Sequence, residues 1–244
     1  MAESPILTVD SVVKHYGGLT AVANLSFSVA RGQVQGIIGP NGAGKSTTFD
    51  LISGFRQPDS GSILLNGQSL IGWPAHKIAR MGLARSFQHV QDSEDLTVED
   101  VLITAALMSF SMRAARKVSH QMLERLNLGS ARGQHMSALS LPDRKMVEFG
   151  RCIIAEPQIV LLDEIMAGLT LAEAERPIEI MRDSCALGVA FVVVEHLMPI
   201  IVRVCDQVVA MDFGEQIALG TADEVLADPR VRATYLGSKR DIHA

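Results

Sequence analysis

Gly39-Pro40-Asn41-Gly42-Ala43-Gly44-Lys45-Ser46-Thr47 fits the phosphate-binding pattern G-x-x-x-x-G-K-[ST] at every position. In such a loop the glycines let backbone N–H groups turn toward a phosphate, a lysine reaches the β and γ oxygens, and a hydroxyl is offered to Mg²⁺. Lys45 and Ser46 hold those two positions, with Gly39, Asn41, Gly42, Gly44 and Thr47 completing the cradle. The flanks agree with this reading. Val34 to Ile38 reads as a short buried strand, and Thr47 to Ile52 continues as a helix whose N-terminus favours an anion. Strand, loop and helix in that order predict a site for a nucleoside triphosphate.

The composition sets the frame around this loop. A chain of 244 residues is long enough for one large core, or a core with a smaller lobe. Hydrophobic residues make up 48% and mean hydropathy is +0.22, yet no apolar run approaches the ~18 residues of a membrane span. So many apolar residues with so few aromatics, 5%, are compatible with a surface covered by a partner. A net charge of −5 argues against nucleic acid as a partner, because phosphate-backbone binding draws on a basic face. Cys152, Cys185 and Cys205 are isolated and lack C-x-x-C spacing, which suggests neither a disulfide framework nor a zinc site and fits a reduced, cytosolic compartment. Met1 to Pro5 carries no basic n-region or apolar h-region, so no secretory signal is expected.

Ile6 to Val13, Leu25 to Val29 and Ser62 to Leu65 read as strands of an N-terminal β layer. From about Asp92 to Ser140 the pattern changes to an all-helical insertion. Thr97-Val98-Glu99-Asp100 is close to a capping box, helical spacing follows through Met112, and it resumes at Val118, Met122, Leu123 and Leu126. Pro142 suits a helix start and Pro157 a stop. Ile159 to Leu162 and Val189 to Val194 are near-continuous apolar runs, as in strands buried on both faces of a parallel sheet. Pro177 predicts that the helix drawn from Ala172 to Ala186 starts late or kinks. Val208 to Met211 and Gln216 to Leu219 form a hairpin pattern around Gly214, and Thr221 to Glu224 caps a last helix.

The apolar run Ile159 to Leu162 ends in Asp163-Glu164, which places two carboxylates at the C-terminal edge of the sheet, where ligands bind in open α/β folds. Asp163 suits a Mg²⁺ ligand. Glu164 is then placed to orient or deprotonate a water attacking the γ-phosphate.

With loop and carboxylates in hand, the whole chain resembles the ATP-binding subunits of ABC transporters. The resemblance implies an α/β P-loop NTPase core with a mostly parallel sheet, an N-terminal antiparallel β layer and an all-helical subdomain. It divides a single 1–244 domain into a catalytic core with its β layer, 1–91 and 157–244, and a helical part, 92–156. Residue roles follow from it. Tyr16, in His15-Tyr16-Gly17-Gly18, lies where an aromatic stacks on adenine, and Gln88, in Arg85-Ser86-Phe87-Gln88, at the Q-loop that senses Mg²⁺ and the γ-phosphate. Leu139-Ser140 opens the signature, Ala167-Gly168-Leu169 corresponds to the D-loop, and His196 is the switch histidine that contacts the γ-phosphate. The cofactors implied are ATP and Mg²⁺, with Ser46, Gln88 and Asp163 as metal ligands. His15, His76, His89, His120, His135 and His243 show no metal-ligand spacing.

Two stretches depart from the family pattern. The signature, usually L-S-G-G-Q, reads Leu139-Ser140-Leu141-Pro142-Asp143, followed by Arg144-Lys145. The usual Asp of the D-loop is Thr170, and Ile165 replaces the Pro that follows the catalytic Glu. These departures, with Phe49 to Phe55, Arg85 to Val90 and the ending Asp228-Pro229 to Tyr235-Leu236-Gly237, resemble the ATPases of branched-chain amino-acid uptake systems and their urea and amide relatives. The partners implied are a second ATPase subunit, which the altered signature points to being a different chain, with a homodimer as the alternative, two transmembrane permease subunits and, indirectly, an extracytoplasmic solute-binding protein, with this chain peripheral on the cytoplasmic face of the inner membrane. An exporter ATPase, for example of lipopolysaccharide, is the alternative within the fold. A non-transport regulatory protein that has lost hydrolysis is the alternative outside it.

Overall fold

The computed structural model describes residues 4–86 and 95–237. Gln88 and Phe87 lie outside them, as does the start of the segment expected to be helical from residue 92. The elements run β1 (Leu7–Tyr16), β2 (Leu19–Val29), β3 (Val34–Ile38), α1 (Lys45–Ile52), β4 (Ser60–Leu65), β5 (Gln68–Ser69), α2 (Ala75–Arg80) and β6 (Leu83–Arg85). Then follow α3 (Val98–Ala106), α4 (Met112–Arg125), α5 (Leu141–Ile153), β7 (Ile159–Asp163), α6 (Leu171–Ala186) and β8 (Ala190–Val194). The chain continues through α7 (Met198–Val204), β9 (Gln207–Asp212), β10 (Glu215–Gly220), α8 (Ala222–Ala227) and α9 (Pro229–Gly237).

Ten strands lie in the order β5-β4-β1-β2-β10-β9-β3-β8-β7-β6. β3, β8, β7 and β6 are parallel, with β9 parallel to β3 on the other side. Every residue of β3, β7 and β8 is buried, as their unbroken apolar runs require of strands covered on both faces. β1 pairs antiparallel with β2 and β4 to form the N-terminal layer. β9 and β10 make the expected hairpin. One apolar core joins the helices to the sheet. It unites Val98, Leu102, Leu123, Val147 and Phe149 of the helical segment with Val160, Leu162, Phe191 and Val193 of the strands. The α/β P-loop architecture expected from the sequence is therefore the one observed.

Two helix expectations need correction. Spacing through Met112 predicts one long helix from Val98, but α3 ends at Ala106 and Met112 opens α4 after Ser111, which is extended. The break falls where Leu107 and Met108 are exposed, so no buried stripe continues across it. The α6 helix does not start late. Thr170 and Glu173 form a full capping box, with Glu173 N donating to Thr170 Oγ1 at 3.3 Å and Thr170 N donating to Glu173 Oε2 at 2.7 Å. That cap starts the helix at Leu171, and the buried Ala174, Ile178, Ile180 and Met181 hold it together through Pro177. An interior proline costs about 3 kcal/mol. Burial of several apolar side chains at about 1.5–3 kcal/mol each outweighs it.

Candidate nucleotide site

The loop between β3 and α1 takes its shape from its glycines. Gly44 has φ 102°, and a Cβ there would come within 2.3 Å of the Ala21 carbonyl oxygen of β2. A Cβ on Gly39 would meet the Met211 carbonyl oxygen of β9 at the same 2.3 Å. The loop is thus pressed between two strands at positions only glycine fills. Lys45 is buried, and its ammonium donates to the carbonyl oxygens of Gly39 at 2.8 Å and Pro40 at 2.9 Å. Burial lowers its pKa, while the Glu164 and Asp163 carboxylates act in the opposite sense. The site therefore brings one cation to two carboxylates. Ser46 is exposed on the first turn of α1, with Thr47 half-buried beside it and Asn41 and Gly42 exposed.

Asp163 ends β7 and is 7% exposed. Its backbone N donates to Ser86 Oγ at 2.8 Å, but among the described residues its Oδ1 has no hydrogen-bond partner. Burial raises its pKa, against the pull of Arg85 and with the push of Glu164. A buried carboxylate oxygen left unpaired within reach of a phosphate loop fits a divalent cation, since buried polar groups are otherwise satisfied. Arg85, at the end of β6, bonds Asp50 Oδ1 at 2.7 Å and Ser53 Oγ at 2.9 Å and lies over the rings of Phe49 and Phe55.

Glu164 adopts φ 52°, a left-handed conformation rare for a residue with a side chain. Its backbone N donates to the Val194 carbonyl oxygen at 2.9 Å, and its Oε1 lies 2.6 Å from His196 Nε2. The expected base and the expected switch histidine are thus hydrogen-bonded to each other across the ends of β7 and β8. Tyr16 stands at the end of β1, 41% exposed, with the Lys14 ammonium 5.6 Å from its ring centre.

Ser140 is not joined to this group. It caps α5, donating from Oγ to Asp143 Oδ2 at 2.7 Å and accepting from Asp143 N at 3.3 Å. Pro142 occupies the first turn of that helix, where its missing N–H costs nothing to the helix itself. Arg144 and Lys145 point elsewhere. Arg144 donates to the carbonyls of Leu139 at 3.1 Å and Ser137 at 2.6 Å; Lys145 donates to those of Glu164, at 3.2 Å, and Ala167. The sequence reading missed Lys145 and Glu195 as parts of the site. Glu195 sits between the strand run and His196, and that this residue is only 1% exposed is visible only in three dimensions.

The sequence pattern of the family described as "ABC transporter" matches residues 22–167, spanning the phosphate loop, Asp163 and Glu164. The chain belongs to the ABC transporter ATP-binding family. Its C-terminal residues 215–241 match a second pattern, described as "Branched-chain amino acid ATP-binding cassette transporter". It is 32% identical to the high-affinity branched-chain amino acid transport ATP-binding protein LivG of Escherichia coli K12, over 96% of this chain and 98% of that one. It is 31% identical to the lipopolysaccharide export system ATP-binding protein LptB of Acidithiobacillus ferridurans, over 98% and 100%. The fold superposes on the ADP conformation of MJ1267, an ATP-binding cassette of an ABC transporter, with TM-score 0.88 and 28% identity, covering 96% of this chain and all of that one. The chain is accordingly an ATP-hydrolysing subunit of ABC-transporter type. Among the described residues no helix is long and apolar enough to cross a membrane.

Proposed function

We propose that this chain powers uptake of branched-chain amino acids or related small solutes, as one of two ATPase subunits under a pair of membrane permeases on the cytoplasmic face. The match of residues 215–241 to the branched-chain amino-acid pattern, on top of the likeness to LivG, carries this reading. In it Tyr16 stacks on adenine, the Gly39–Thr47 loop and Lys45 hold the phosphates, and Ser46, Gln88 and Asp163 hold Mg²⁺. When bound, Mg²⁺ would supply charge neutralisation at the phosphates. Glu164 takes a proton from the attacking water, and His196 holds the Glu164 carboxylate and donates toward the γ-phosphate. Tagging the chain, isolating the native membrane complex and screening solutes for stimulation of ATP turnover tests the assignment. Stimulation by branched-chain amino acids with permeases of that class supports it; stimulation by lipopolysaccharide favours the likeness to LptB.

A docking place for the permease belongs to the same reading. A cleft of about 810 Å³ opens between α2 and β6 on one side and α3 and α5 on the other, lined by Phe55, Arg80, Ala105, Met108, Arg151 and Pro157. The apolar excess of the sequence, together with Gln88 and the helical insertion that follows it, predicts a groove near Phe87, Gln88 and the segment Asp92 to Leu96. Residues 87–94 lie outside the described residues, and Leu96 is not among the lining residues. Met108, 59% exposed beside the cleft, offers the apolar anchor that a helix in a groove requires. Met108→Glu is expected to cut transport at least tenfold while ATP turnover in the isolated subunit stays within a factor of two. Unchanged transport refutes this placement.

A second part of the proposal concerns pairing. ABC ATPases close as a sandwich in which the signature of one subunit faces the nucleotide of the other. The signature of this chain is poorly equipped for that, since Pro142 has no N–H, Leu141 adds exposed bulk and the Ser140 hydroxyl is bonded to Asp143, and we propose that its partner ATPase is a different chain.

A further inference from the structure

The segment Glu164–Ala167 joins the expected catalytic base to the D-loop, and charged side chains hold it from two sides. From α5, the Lys145 ammonium donates to the carbonyl oxygens of Glu164 at 3.2 Å and of Ala167. From the end of β8, Glu195 Oε1 accepts the backbone N–H of Met166 at 2.7 Å. Glu195 is 1% exposed and its Oε2 has no hydrogen-bond partner among the described residues, so the Met166 contact is the one its side chain makes to the turn. An isolated buried carboxylate is costly, and Lys145 supplies the compensating charge. Both side chains direct these hydrogen bonds to backbone, while their opposite charges favour each other electrostatically. Between their contacts lies a turn that begins at a left-handed glutamate, a conformation the surroundings must impose.

We infer that Lys145 and Glu195 are positioning residues that clamp the turn Glu164–Ala167 and so fix the direction in which the Glu164 carboxylate points. The clamp has a particular geometry. Glu195 is the chain neighbour of His196, whose Nε2 is 2.6 Å from Glu164 Oε1, so one strand end holds the base both through its side chain and through the peptide two residues on. Lys145 sits five residues into the helix that Ser140 caps. A shift of that helix therefore pulls directly on the carbonyl of the catalytic residue. Misplacing a reacting group by about 1 Å can cost ~10²-fold in rate.

This inference rests on the catalytic role proposed for Glu164, and the experiment separates the two. ATP turnover and ATP affinity would be measured for the full chain isolated with its co-purifying subunits, for the wild type and for Glu164→Gln, Glu195→Ala, Glu195→Gln, Lys145→Met and Lys145→Arg. Full turnover in Glu164→Gln would overturn the catalytic reading itself. With Glu164→Gln inactive, Glu195→Ala and Lys145→Met are expected to lose about 10- to 100-fold in kcat with KM for ATP within twofold. Glu195→Gln, whose amide oxygen still accepts from Met166, should stay within about threefold of wild type, and Lys145→Arg should recover most of the loss seen in Lys145→Met. Wild-type kcat in Lys145→Met, or a loss carried by KM in place of kcat, refutes the clamp. Should Glu195→Ala fail to fold, the half-exposed Lys145 pair decides, and equal losses in Lys145→Met and Lys145→Arg count against it.

Discussion

The two helix N-termini that the family uses to hold phosphate differ sharply in this chain. At α1 the helix begins under a loop of glycines, its first residues include an exposed hydroxyl at Ser46, and no acidic side chain stands in the first turn. That end is open to an anion and carries a lysine to meet it. At α5 the first turn already contains a carboxylate, Asp143, which receives the Ser140 hydroxyl and bonds back through its own N–H to Ser140 Oγ. A proline stands where an N–H would serve a ligand, and Leu141, 58% exposed, puts bulk where a backbone could approach. The neighbouring cations give no help, since Arg144 and Lys145 are bonded to backbone carbonyls of this chain. One terminus is built to receive charge from outside, and the other has supplied its own.

The largest effect should come from the open end. Lys45→Ala removes the ammonium proposed to hold the β and γ oxygens and is expected to abolish ATP turnover and weaken Mg-ATP binding by at least tenfold, read by equilibrium binding of a fluorescent ATP analogue. Retained affinity and turnover would show that the open end is not the nucleotide site, and the contrast would lose its meaning. Glu164→Gln should be nearly as severe in rate, with a fall in kcat of about 10²- to 10³-fold, but ATP and Mg²⁺ should stay bound because Lys45, Ser46 and Asp163 are untouched. Binding and chemistry would then be separated within one site. Loss of ATP binding in this variant would mean that Glu164 serves mainly to balance Lys45.

How much of this was readable before the fold was known follows the same division. The phosphate loop is legible because its chemistry is local: a strand, nine residues and a helix make the cradle with no help from afar. Asp163 and Glu164 are legible because an apolar run ending in acids marks a sheet edge. The capped state of α5 was half legible, since Pro142 announces a helix start, but the bond from Ser140 to Asp143 depends on a rotamer. Glu195 was invisible as a holding group because its partner, the N–H of Met166, lies 29 residues away and comes near only when β7 and β8 pair. The break between α3 and α4 was misread because Leu107 and Met108 continue the apolar spacing in sequence while lying exposed in space. The start of α6 was placed too late because Pro177 was read without the Thr170–Glu173 capping box that fixes it at Leu171.

A smaller effect, in the direction of gain, is expected at the capped end. Leu141→Gly, Pro142→Gly and Asp143→Gln together restore two glycines, an N–H and a neutral first turn. If this chain covers the slow site of a mixed pair, its complex should gain severalfold in turnover, up to the roughly 10² to 10³ that one well-aimed donor can supply. Parallel assays would carry the Lys45 change in this chain or the matching change in its partner. Equal loss from either side, or vigorous turnover and transport by a homodimer of this chain alone, refutes the asymmetry and leaves α5 as a helix that tolerates its own carboxylate.

The smallest effect concerns the joint between the two ends, and it is one of stability. Burial pushes the Glu195 carboxyl up from its ordinary value near 4.5 to about 7; the Met166 N–H and the Lys145 ammonium act against that rise, and Glu164 adds to it. Because the folded pKa is the higher one, the protonated form is favoured by folding. This contribution is complete below about pH 4.5 and is lost as pH rises through about 7. Glu195→Gln carries no charge at any pH and serves as the reference. Between pH 5 and 8 the wild type should therefore lose stability relative to Glu195→Gln, by up to about 3 kcal/mol, or roughly 5–10 °C in melting temperature for a chain of this size. Other groups that face Glu195 are kept constant in the comparison, namely Lys145 on α5, Glu164 beyond β7, His196 beside it and Cys205 after α7. The test is a pair of calorimetric melts across that range. A difference that falls with pH places an ionising carboxyl at the joint between the open end and the capped end; a flat difference would mean that the Lys145 ammonium already offsets the full cost of burying it, making the joint a fixed ion pair across the whole range.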